Sequence, residues 1–81
     1  MNKKQIDLLI KSGYEVIPEI GFIKENTLGK PLVYLIYNQF NKTFSLGIVG
    51  TQFDNNNDLN FYQMEFDSKL KLASELNNLK D

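Results

Sequence analysis

Apolar and polar positions alternate along this chain with two different periods. Residues 2 to 12 carry a helical period: Ile6, Leu9 and Ile10, with Leu8 beside them, share one stripe, while Lys3, Lys4, Asp7 and Lys11 occupy the other side. Gly13 is placed to end this helix in a left-handed C′ position, with Tyr14 folding back onto Leu9. Asn2 is the candidate cap at its start, and the sequence is read without a reciprocal capping box. A helix this short needs docking rather than propensity to persist.

From Tyr14 the period shortens to two. Tyr14, Val16, Ile20 and Phe22 alternate with Glu15, Glu19 and Gly21, while Ile17 and Ile23 break the pattern. Pro18 cannot donate to a ladder, so it puts the segment at a sheet edge or splits it into two short strands. Glu25 to Pro31 reads as a loop, because Asn26, Gly29 and Pro31 are turn formers. Residues 32 to 50 predict a hairpin around Asn41-Lys42. A two-residue turn there sets Tyr37 opposite Leu46 and Leu35 opposite Ile48 on one face. The other face then holds Tyr34, Ile36, Phe40 and Val49, with Gly47 bare among them. After a polar loop over 51 to 58, residues 59 to 66 read as a further strand with Tyr62, Met64 and Phe66 on one side. Residues 67 to 80 predict a second helix, capped by Asp67 or Ser68, with Leu72, Ala73, Leu76 and Leu79 as its buried stripe.

The expected fold is therefore a single α+β domain over 1–81, in two layers. An antiparallel sheet of three to four strands sits between an N-terminal and a C-terminal helix, in the order α-β-β-β-(β)-α. With 81 residues and 42% apolar content, one thin core is possible and a second is not.

Composition then removes whole classes of chemistry. There is no cysteine and no histidine, and all nine basic residues are lysine. Thiol nucleophiles, imidazole bases and Cys or His metal sites are thereby excluded. The carboxylates Glu15, Glu19, Glu65, Asp54 and Asp58 show no spacing that joins two of them in a pocket, and no glycine-rich phosphate loop is present, so no enzyme and no cofactor is expected. Net charge −1 gives no field for nucleic acid or an anionic membrane. The longest apolar run, Leu32 to Tyr37, falls far short of a membrane helix, and with no signal-peptide core the expected compartment is the cytoplasm. Ten asparagines and nine lysines without Arg, His or Trp give the bias that an AT-rich bacterial or phage genome tends to encode.

The hairpin's second face is the leading functional feature. A one-sided antiparallel sheet normally turns polar residues outward, whereas here the outward positions are aromatic and aliphatic. The expectation is a protein-binding module, such as a small inhibitor, adaptor or regulatory subunit. Its contact residues would be Tyr34, Ile36, Phe40 and Val49, with Tyr62 as a neighbour, and a homodimer is its simplest form. A helix on each face, or a register slipped by one residue, would remove that surface.

Two other readings compete. The α-β-β-β-α order, with Lys69 and Lys71 near the expected start of the last helix, resembles the double-stranded RNA-binding domain in element order. That resemblance implies a nucleic-acid-binding module in which these lysines meet phosphates, alongside strand aromatics able to stack bases. The segment 54–65 partly matches a calcium loop, with Asp54, Asn56, Asp58 and Glu65 at ligand positions but Leu59 where a glycine is needed. A minor variant of the binding class has Glu15, Glu19, Glu25, Asp54 and Asp58 engage a basic partner.

Overall fold

The computed structural model describes residues 1–28, 31–48 and 56–79. Among them the chain forms helix α1 (Lys3–Lys11), strands β1 (Tyr14–Ile17), β2 (Phe22–Glu25), β3 (Val33–Asn38) and β4 (Thr43–Ile48), and helix α2 (Asn56–Asn78). The strands make two antiparallel pairs, β1 with β2 and β3 with β4. This is the expected α+β architecture, with its sheet divided into two hairpins.

Helix α1 starts on a full capping box, against the expectation. The Asn2 side chain accepts from the Gln5 backbone N–H at 2.9 Å, and the Gln5 side chain accepts from the Asn2 backbone N–H at 2.9 Å. The helix ends as expected, at Gly13 with φ 92°, and Tyr14 and Leu9 share the buried core.

Pro18 does split the next segment. A short 3-10 turn over Pro18–Ile20 reverses the chain, so β1 and β2 pair with each other, Val16 opposite Ile23 and Ile17 opposite Phe22. Ile23 no longer violates an alternation: the reversal puts it on the inner side beside Val16, and both pack against the core.

The β3–β4 hairpin has a four-residue turn, Gln39 to Lys42, rather than the two-residue turn read from Asn41-Lys42. Leu35 therefore stands opposite Leu46 and Tyr37 opposite Phe44, a register two residues from the expected one. A shift of two preserves the faces. Asparagine side chains build the turn. Asn38 Oδ1 accepts from the Phe40 N–H at 2.9 Å, and Asn41 Oδ1 accepts from the Thr43 N–H at 3.2 Å, while Lys42 takes the left-handed conformation at φ 57°. Phe40, expected on the strand, sits in this turn.

The largest departure is α2. Residues 59–66, expected as a strand, belong to one helix of 23 residues, and Asp67 and Ser68 lie inside it rather than capping it. The period-two aromatic pattern was misleading. Tyr62 and Phe66 are four apart and their rings meet on the helix at 6.0 Å. The buried stripe runs through Glu65 and Lys69 before reaching Leu72, Ala73 and Leu76. Two charged residues at core-facing positions hid the first half of the helical period.

Both helices pack on the same side of the strands. Leu9, Tyr14, Leu35, Phe44, Ala73 and Leu76 form one buried cluster, with Val16, Ile23, Tyr37, Leu46 and Leu72 against it. Leu9 and Leu76 are wholly buried, and each such side chain contributes about 1.5–3 kcal/mol. The ends of the two helices are also tied. Gln5 Nε2 donates to the Leu76 carbonyl at 3.0 Å and Asn2 Nδ2 donates to the Leu79 carbonyl, so α1's capping residues bond to carbonyls at the end of α2, that of Leu76 also accepting from the Leu79 N–H. No helix among the described residues is long and apolar enough to cross a membrane.

Candidate functional site

The β3–β4 hairpin has two faces with opposite fates. On the inner face, α2 crosses the hairpin diagonally, and side chains at each end of the crossing bind a strand edge. Near one end, Glu65 Oε1 accepts from the backbone N–H groups of Leu32 and Val33, both at 3.1 Å. Lys69 Nζ donates to the Val33 carbonyl at 2.7 Å. Near the other end, Asn77 accepts from the Phe44 N–H at 2.8 Å and donates to the Phe44 carbonyl at 2.9 Å. The main-chain groups of Val33 and Phe44 therefore point away from the hairpin, each bound by helix side chains where a further strand would otherwise attach. This makes Tyr37–Phe44 a pair without mutual backbone bonds, the closer kind, in keeping with ring centroids 4.8 Å apart.

Lys69 is only 7% exposed, and its ammonium is fully engaged. Besides Val33 it meets Glu25 Oε2 at 2.6 Å and Glu65 Oε1 at 2.8 Å, so one cation ties α2 to the end of β2 and the start of β3. Burial pulls the Lys69 pKa down, but the two carboxylates outweigh it and hold the ammonium above its ordinary value. Burial likewise pushes the Glu65 carboxyl up, and the bonds from Lys69, Val33 and Leu32 outweigh that and bring it below its ordinary value. The phenol of buried Tyr14 is raised by desolvation and by the nearby charge of Glu25.

These bonds bear on two of the earlier readings. Lys69 cannot serve as a phosphate contact, because its three donors are spent inside the protein, and it lies mid-helix rather than at a helix start. Lys71 alone does not form a cluster. The calcium loop also fails. Asn56, Asp58 and Glu65 lie on a continuous helix, which cannot wrap its own alternate residues around one ion, and Glu65 is committed to Lys69 and the backbone. Asp54 lies outside the described residues. Among the described residues, no group of three or more acidic, histidine or cysteine side chains is placed to hold a metal. Glu25 belongs to the Lys69 network as well, which removes it from any acidic surface.

The outer face has no such cover among the described residues. Tyr34 and Ile36 point outward from β3 and remain 39% and 45% exposed, and Phe40 in the turn is 101% exposed. Gly47 lies opposite Tyr34, and a Cβ there would stand 2.5 Å from Ile36 Cδ1. The glycine lets Ile36 lie across the hairpin, which flattens this face. Val49 lies outside the described residues. Tyr62 does not join this face: it sits on α2, on the opposite side of the hairpin, beside Phe66.

Two residues not expected there do join. Phe22 lines a shallow groove between β2 and β3 together with Tyr34, Ile36, Gly47 and Ile48, and Ile20 continues it toward Phe40. Ile20 and Phe22 were hidden because the Pro18 turn was not read as a hairpin; once the chain reverses there, alternation puts Phe22 outward. Ile48 was expected to meet the helices. The diagonal crossing takes α2 to the β3 edge at Val33, opposite Ile48, and leaves Ile48 half exposed. The rim of the surface is polar: Glu15 and Lys24 face each other on the outer side of β1–β2, and Ser45 follows on β4.

No protein-family model, curated protein or solved structure matches this chain.

Proposed function

We propose that this chain is a non-enzymatic protein-binding module whose contact surface is the outer face of its two hairpins. One observation carries this reading. The face turned away from both helices holds contiguous exposed aromatic and aliphatic side chains, Ile20, Phe22, Tyr34, Ile36 and Phe40. Such a patch with a polar rim is what protein interfaces look like, and exposed aromatics are frequent binding hot spots. The inner face supports the same reading from the other side. Its polar groups are engaged in holding the fold: Glu25, Glu65, Lys69 and Asn77 bond to one another or to the strands.

The test is retention of a protein by the tagged chain in extract of its native host, compared between the unaltered chain and an Ile36→Lys variant of equal thermal stability. A protein held in stoichiometric amount by the first and released by the second supports the module. Equal retention by both, or none by either, counts against it.

A further inference from the structure

Resting on that reading, we infer that the occupant of the outer face is a second copy of this chain, docked face to face about a two-fold axis. Area is the first argument. The five apolar side chains leave roughly 500–600 Å² of surface open, since a large side chain presents about 150–250 Å² when fully exposed, and a standard interface takes about 800 Å² from each partner. With its polar rim, the face is the right size for one whole interface rather than a fragment of one.

Charge is the second argument. No member of the patch is charged, and the rim carries Glu15 beside Lys24. A face with balanced charge offers nothing to attract a strongly acidic or basic partner. It is compatible with itself, because a two-fold contact sets every residue against the same surface and a single-sign rim would repel. The molecule's net charge of −1 adds no long-range repulsion between copies.

The third argument concerns geometry. Exposed strand edges invite pairing by strand addition, but here α2 binds the outward main-chain groups of Val33 and Phe44 with Glu65, Lys69 and Asn77. Association through these edge positions is blocked, whereas the outer face is flat where Ile36 lies over Gly47. Copies therefore meet by faces, with Tyr34 and Ile36 central and the Glu15–Lys24 pair at the margin.

Sedimentation equilibrium on the purified chain tests this, with Ile36→Lys and Tyr34→Lys as disrupting variants and Leu70→Lys, an exposed residue of α2 off this face, as control. The expected result is a dimer mass for the unaltered chain and for the control, with association weakened by roughly 30-fold or more in either disrupting variant. Circular dichroism confirms that the variants are folded. Isotope-filtered NMR on mixed labelled and unlabelled chain gives a readout that needs no variant: contacts between copies among Phe22, Tyr34 and Ile36. A monomeric unaltered chain at high micromolar concentration overturns the inference, as does a dimer broken by Leu70→Lys and untouched by Ile36→Lys. A monomer that still retains a foreign protein through Ile36 separates this failure from failure of the binding-module reading.

Discussion

The two faces of the β3–β4 hairpin both carry aromatic and aliphatic side chains, yet they differ in how polar groups are used. Inside, charged and amide side chains are buried on purpose: Glu65, Lys69 and Asn77 take the main-chain groups of Val33 and Phe44 and leave the apolar residues around them dry. Outside, the described residues place no charge among Tyr34, Ile36, Gly47 and Phe22, and nothing dry has formed over them. Apolar content alone therefore does not mark the core of this protein, since Tyr34 and Ile36 stay open. What marks the core is the presence of polar side chains that satisfy the strand edges beneath it, because burying a sheet without doing so would leave unpaired N–H and C=O groups at a cost of about 1–3 kcal/mol each.

That contrast can be broken from either side. The largest effect is expected at Leu76→Ala, which empties a wholly buried site and destabilises the monomer by about 2–5 kcal/mol in chemical denaturation. Next comes Lys69→Met, which keeps the volume but leaves Glu25 and Glu65 facing each other without their cation. Because those carboxylates are partly open to solvent, the loss is about 1–3 kcal/mol, less than for a fully buried pair. Asn77→Ala strips two bonds from Phe44 and lowers stability by about 1–2 kcal/mol, read as a shift in denaturation midpoint at unchanged slope.

Acid and base separate the contributions of the clamp. Glu65 is held below its ordinary value, so its contribution is complete above about pH 4.3 and is lost as pH falls through its lower folded value. Lys69 and Tyr14 are both raised, so their contributions are complete below about pH 10 and are lost as pH rises through their folded values. Thermal melts across pH should fall at both extremes. In Lys69→Met the alkaline fall should shrink toward the part due to Tyr14. The smallest expected effect is on the other face: Ile36→Lys, measured on the monomer, changes stability by within about 0.5 kcal/mol. A loss of several kcal/mol there would mean that the outer face belongs to the fold after all.

The apolar periods made α1, its glycine stop, the β3–β4 hairpin and the identity of its two faces legible in the sequence, because each depends on neighbours three or four residues away or on strict alternation. Asparagine turn chemistry was harder to read: Asn38 and Asn41 anchor a four-residue turn that looks from sequence like a two-residue one. The helix over 56–66 was not legible for a different reason. Its core-facing positions hold Glu65 and Lys69, whose partners Val33 and Glu25 are more than 30 residues away, and no local rule distinguishes a buried ion pair from a solvated one. The candidate surface was read in part, since Tyr34, Ile36 and Phe40 are exposed as expected. Phe22 and Ile20 joined only when the Pro18 turn folded β2 beside β3.

The ties from Asn2 and Gln5 to the carbonyls of Leu79 and Leu76 reach across 77 and 71 residues. The first helix meets β1 as soon as that strand follows it, whereas the bonds from its capping residues wait until residues 76–79 have been made. Closing so long a loop is entropically slow but nearly insensitive to a few added residues. A permuted gene that joins 79 to 2 through a short flexible linker should therefore bring this step forward and speed refolding while leaving the finished architecture unchanged.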